Sequence, residues 1–149
     1  MPEIDLPGHA YIPGQTPRHD EVAFERFHAS VTPGMDTAAL QRTLAWRAGL
    51  VFLDQGFFWE AHEVLEPVWM ATSRNSAEHQ MVQAVIQLAN AALKHKMGRA
   101  GAARRLCDLA RGHARAARSA GGAEVMGFAV DDLVDRVESL EREMARDMQ

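Results

Sequence analysis

Apolar residues recur three and four apart through most of residues 37–146, and no stretch alternates with the period of two that marks a strand. Leu40, Leu44, Ala48 and Val51 predict a first helix from about Thr37 to Asp54, with Asp36 as its N-cap and Gln55-Gly56 as its end. A second helix is predicted from Phe58 to Thr72. A third, capped by Asn75 with Glu78 near its positive end, runs to Met97 and stops at Gly98. A fourth spans Arg99 to Arg118 before Gly121-Gly122, and a fifth spans Asp131 to Arg146. The short connections predict antiparallel neighbours. The expected fold class is therefore all-α: an antiparallel helical bundle of about five helices, residues 36–149, with an extended leader over residues 1–35. Five of the six prolines fall in that leader, which excludes a long helix there. Its Ile4, Leu6, Tyr11, Ile12, Phe24 and Phe27 predict that it packs on the bundle, with Tyr11-Ile12-Pro13-Gly14 entering a turn and a short helix within Asp20 to Ser30.

The second and third helices lack a broad polar face and are expected at the centre. Each nevertheless carries polar groups. At ~100° per residue, His62 and Glu66 lie at the edge of the face formed by Ala61, Leu65, Val68 and Trp69, while Glu63 lies between Trp59 and Met70. The third helix gathers Gln80, Gln83, Gln87, Asn90 and Lys94 in one sector. Ionisable groups on a buried helix are costly unless paired, and amides can both donate and accept. The expectation is a buried cluster in which His62 and Glu66 touch and reach Gln83 or Gln87, lining a small cleft. Arg18 and Tyr11 of the leader are expected to close over it, with Arg18 offsetting a carboxylate. Pro67 has no N–H, so it frees the carbonyl of Glu63 for an outside partner or starts a new helical turn.

Charge changes this picture in one respect. The net charge of −4 disfavours a general nucleic-acid binder. Residues 99–118 carry six arginines and one aspartate, and residues 119–149 carry eight acids and three arginines. The fourth and fifth helices are thus expected to pair in one chain. Leu133, Val137, Leu140 and Met144 form a narrow apolar seam on the fifth helix; it either docks on its own bundle or makes a homodimer seam. Cys107, the single cysteine, is expected to be buried and inert. With no secretory pattern and no apolar run near the ~20 residues of a membrane span, the expected location is the cytoplasm, with no membrane partner.

Chemically, His62-Glu63-x-x-Glu66 differs from the zinc-binding His-Glu-x-x-His pattern in its last residue. One imidazole with carboxylates suits a divalent transition metal, held by His62 and Glu66. Three uses stay open: a site for a small polar ligand formed by His62, Glu63, Glu66, Gln83, Gln87, Arg18 and Tyr11; a metal site or metal-dependent hydrolase using His62, Glu63 and Glu66; and a structural cluster in a scaffold or interaction module. No catalytic residue and no enzyme class are assigned.

Gly56-Phe57-Phe58-Trp59-Glu60-Ala61-His62-Glu63-Val64-Leu65-Glu66, followed by Trp69, resembles the signature of the domain of unknown function 309 family. Gln83-x-x-x-Gln87-Leu88-Ala89, the Gly98/Gly101-Ala102 turn and the leader Tyr11-Ile12-Pro13-Gly14-Gln15-Thr16-Pro17-Arg18 are similar to that family's pattern, from which Pro67 departs. The resemblance implies a small helical bundle and no established activity.

Overall fold

The computed structural model describes residues 4–148. They form seven helices and one hairpin: α1 (Glu25–Ala29), α2 (Thr37–Gln41), α3 (Leu44–Asp54), α4 (Phe58–Ala71), α5 (Ala77–Lys96), α6 (Ala100–Gly121), β1 (Glu124–Val125), β2 (Phe128–Ala129) and α7 (Val130–Asp147). The chain is mostly helical, as expected, but the count of five helices is corrected. One of the two helices beyond the five is α1, the short leader helix expected within Asp20 to Ser30. The other arises because the predicted first helix divides at Thr43. The Thr43 hydroxyl donates to the Leu40 carbonyl at 2.8 Å and accepts from Trp46 N at 3.2 Å, ending α2 and capping α3. A threonine that bonds nearby main chain in this way competes with a continuous helix. Asp36 caps α2 as predicted, accepting from Ala39 N at 2.8 Å. The α5 cap is Ser76, which accepts from His79 N at 3.0 Å, whereas Asn75 stands one residue outside with φ 65°.

The hairpin is a second departure from the sequence reading. Each strand has only two residues, with Val125 paired to Phe128 and Glu124 to Ala129. Such strands are too short to display a period. Met126 and Gly127 both have positive φ, 56° and 69°, as a tight primed turn requires. The Met126 carbonyl is used: Trp46 Nε1 donates to it at 3.0 Å inside the core, joining α3 to the hairpin.

The core lies where α5 packs against α4 on one side and α6 on the other. Val64, Leu65 and Val68 of α4 are buried with Met81, Val82 and Val85 of α5 and with Ala103, Ala110 and Ala114 of α6. On the other side of α4, Gly49 of α3 faces Leu65. A Cβ at Gly49 would lie 2.3 Å from Leu65 Cδ2, so these helices approach more closely than a larger residue allows. Leu133, Val137, Leu140 and Met144 are all buried within the chain. The α7 seam is therefore occupied by its own bundle, which removes the motive for a dimer through it. The expected α6–α7 charge pairing appears as Arg111 with Glu141 and Arg118 with Asp131, and α7 also pairs with α3 through Arg136 and Asp54. Such pairs at the surface contribute about 0–1 kcal/mol each and mainly orient α7. Cys107 is buried, and burial first, then Glu141, pushes its thiol up to about 11, which suppresses the reactive thiolate. No helix among the described residues is long and apolar enough to cross a membrane.

Candidate functional site

The leader converges on the first turn of α4. Residues 10–16 close a turn on themselves: Gln15 N and Thr16 N donate to the Ile12 carbonyl, Ile12 N donates to the Thr16 hydroxyl, and that hydroxyl donates to the Ala10 carbonyl at 2.7 Å. Gly14 supplies the positive φ, 82°. The closed turn presents Tyr11 N to Glu60, whose Oε2 accepts it at 2.7 Å. The same oxygen meets His19 Nε2 at 2.5 Å. Glu60 is 0% exposed, a carboxyl group wholly inside the protein, and its other oxygen, Oε1, is buried without a hydrogen-bond partner. His19 is almost as buried, stacked on His9 at 4.5 Å and edge-on to Phe24 at 5.1 Å. Nε2 of His19 is engaged by Glu60, which fixes the orientation of the ring. A carboxyl-oriented imidazole of this kind can accept a proton or bind a cation.

His19 forms one wall of a cavity of about 250 Å³, whose other walls are Tyr11, Arg18, Phe24, Trp59, Asp20, Glu21, His28 and Glu63. Tyr11 and Phe24 both meet the Trp59 ring edge-on, at 5.2 and 5.9 Å. Among the described residues Arg18 pairs with no carboxylate. It is exposed, donates from Nε to the Tyr11 hydroxyl at 3.3 Å and stands 5.9 Å from that ring. The leader's main chain and His19 already take Oε2 of Glu60, the wholly buried carboxyl among the described residues, and Arg18 stays at the rim.

The predicted band on α4 is arranged differently from the expectation. His62 and Glu66 do meet, at 3.5 Å, but His62 is only half-buried and Glu66 is exposed. Among the described residues no hydrogen bond joins either of them to Gln83 or Gln87, which are half-buried on α5. The amide sector is drawn toward α6, where Gln80 Oε1 accepts from His113 Nδ1 at 2.7 Å. The expectation of a buried His/Glu/Gln cluster is therefore corrected: α5 lies along α6, and the α4 band faces outward. Glu63 belongs instead with the leader cavity and with an adjoining groove of about 360 Å³ shared with His28, Glu66, Pro67 and Met70. There the carbonyl freed by Pro67 finds its partner. His28 of α1 donates from Nε2 to the Glu63 carbonyl at 3.1 Å and lies 3.6 Å from the Glu63 carboxylate.

Glu60, His19 and His28 were absent from the predicted site. Glu60 was nonetheless legible, because it stands four and eight residues before Val64 and Val68, two of the most buried positions on α4. The leader histidines carry no such periodic signal.

Two further histidines join α5 to its neighbours. His79 lies 4.8 Å from the Trp69 ring and bonds the Thr72 hydroxyl at 2.7 Å, while Trp69 Nε1 is buried without a partner. Burial first, then repulsion from His79, lowers the pKa of His113 below its ordinary 6.5. The folded protein thus binds this proton less readily than the unfolded chain does. The contribution is fully present above pH 6.5 and declines as pH falls through 6.5 toward the lower folded value. Urea titrations from pH 7.5 to 5 should show stability falling with acidity, and His113→Gln should flatten that slope. An unchanged slope would exclude His113 as its source.

The fold and site together describe a helical bundle whose leader is pinned to a buried glutamate beside an aromatic and acidic cavity. Residues 46–106 match the family model described as Domain of unknown function (DUF309). It runs from α3 into α6, so Glu60, His62, Glu63, Glu66 and Trp69 fall inside it, while the leader and α7 fall outside. No curated protein and no solved structure matches the chain.

Proposed function

We propose that this protein binds a small polar organic ligand bearing a protonated amine, in the cavity between the leader and α4. The observation that carries the reading is the lining of that cavity. Rings of Tyr11, Phe24 and Trp59 form an apolar, π-rich wall, and Asp20, Glu21 and Glu63 outnumber the single permanent cation, Arg18. Aromatic faces and carboxylates together attract an organic cation, and few convergent polar groups in an apolar cleft are the usual form of a ligand site. The volume of about 250 Å³ lies just below the range of drug-sized pockets and suits a small ligand. His19, oriented by Glu60, adds an imidazole to the wall. Compared with the expectation from sequence, Glu63 and Tyr11 keep a place in the ligand site, Arg18 moves to its rim, and His62, Glu66, Gln83 and Gln87 lie outside it.

The test is a thermal-shift and calorimetric panel of small amines, matched carboxylic acids and neutral alcohols. Amines should raise the melting temperature of the wild type saturably, and Glu63→Gln and Trp59→Leu should each abolish the shift while remaining folded. Stabilisation by carboxylic acids instead, or equal amine shifts in Glu63→Gln, would refute the reading.

A further inference from the structure

A second group of chemically capable side chains lies where α5 and α7 end, among residues that do not line the leader cavity. His95 stands in the last turn of α5, and Glu143 and Asp147 stand one turn apart near the end of α7. His95 Nε2 is 2.8 Å from Asp147 Oδ2 and 4.0 Å from Glu143 Oε1, and one ligand atom from each of the three lies within 4.8 Å of the others. We propose that His95, Glu143 and Asp147 form a binding site for one divalent transition-metal ion.

Four observations converge on this assignment. The first is geometric. Nitrogen and oxygen ligands sit about 2.0–2.2 Å from a metal such as zinc, so ligand atoms around one ion lie roughly 3–4.3 Å apart. The spacings from His95 fall in or just below that range before any rearrangement. The second is the donor set. One imidazole and two carboxylates suit zinc, manganese, iron or cobalt, whereas calcium and magnesium favour all-oxygen sites. Two carboxylates also balance the charge of a divalent ion.

The third is the placement of those carboxylates. The C-terminal end of a helix carries partial negative charge, so acids there are disfavoured and cations favoured. Here α5 and α7 end together, at Lys96 and Asp147, and α7 brings two acids to that same place. A bound cation offsets both contributions. The fourth is room. The three ligands line a cavity of about 390 Å³ together with Lys96, Gly98 and Met148. His95 is mostly buried, with 14% of its side chain exposed, while the two carboxylates open on the cavity. The ion would thus keep positions for water or a further ligand, the arrangement of a reactive rather than a closed structural site. The opposing charges are Lys96 at the wall and Arg104, which reaches Met148 Sδ at 3.7 Å.

None of these residues belongs to the amine cavity, so the two readings stand or fall separately. The experiment is calorimetric titration of chelator-treated full-length protein with Zn²⁺, with Co²⁺ visible absorption as a second readout of the ligand set. One equivalent should bind per chain. His95→Ala should weaken binding by at least about a hundredfold, Asp147→Asn by about tenfold or more, and the ligand-field band of bound Co²⁺ should disappear in His95→Ala. Asp147 is exposed, so its variant is expected to fold normally, which far-ultraviolet circular dichroism checks. A His62→Ala/Glu66→Gln variant should bind as the wild type does. Absence of saturable binding, retention of affinity in His95→Ala and Asp147→Asn, or loss only in the His62/Glu66 variant would each overturn the proposal.

Discussion

Glu60→Ala should lower unfolding free energy by about 2–4 kcal/mol, the largest effect expected of any polar substitution in this chain. The carboxyl is wholly buried and receives Tyr11 N and His19 Nε2 on one oxygen. Alanine would leave both donors without a partner, and a cavity where the side chain had been. Each buried unsatisfied group costs about 1–3 kcal/mol. Glu60→Gln, which retains an acceptor of nearly the same shape, should cost less. In a double-mutant cycle with His19→Ala the losses should be strongly non-additive, because the second substitution removes a contact already broken by the first. Urea denaturation would measure this. A loss below about 0.5 kcal/mol for Glu60→Ala, the level of ordinary surface changes, would show that the leader contact carries no energetic weight.

Gly49→Ala should destabilise by about 1–3 kcal/mol, against the ordinary direction of such a change. Alanine inside a helix normally gains close to 1 kcal/mol over glycine. At this position the added Cβ would stand 2.3 and 2.4 Å from Cδ2 and Cγ of Leu65, and Leu65 is itself fully buried and cannot swing away. The diagnostic is compensation. Leu65→Ala alone leaves a cavity and costs about 2–5 kcal/mol, but in the Gly49→Ala background the new methyl enters that space. The double variant should therefore be more stable than the sum of the single losses predicts. Strict additivity would mean that the α3–α4 approach relaxes without strain.

How far these features could be read from the sequence depends on their range. The helices are local objects, and Asp36, Gly98 and the apolar spacing placed most of their ends within a few residues. The division at Thr43 escaped because it turns on one hydroxyl that fits the helical pattern as well as it breaks it. The hairpin at Met126-Gly127 escaped because two-residue strands have no period to detect. At the site, helical spacing correctly set His62 beside Glu66, and the missing N–H of Pro67 correctly pointed to a free Glu63 carbonyl. What spacing cannot fix is the rotation of one helix against another. The amide sector of α5 was therefore assigned to α4, although Gln80 meets His113 of α6. The pairings of Glu60 with His19, and of His95 with Asp147, join residues 41 and 52 positions apart. Only the packed tertiary structure brings them together.

The bond between His28 and the Glu63 carbonyl has a consequence for how these two regions can vary. In a regular helix each interior carbonyl already accepts from the N–H four residues on, which leaves it a weaker acceptor for a neighbouring side chain. Pro67 leaves one such socket open on the side of α4, and the α1 imidazole is the plug that fills it. The socket is fully open while a proline stands at 67, and the plug gains most from it there. Positions 28 and 67 are therefore linked as a unit. Removing the imidazole alone leaves an open acceptor, and removing the proline alone leaves the imidazole without its main-chain partner. Changing both together restores an ordinary helix, with the leader held there by its other contacts.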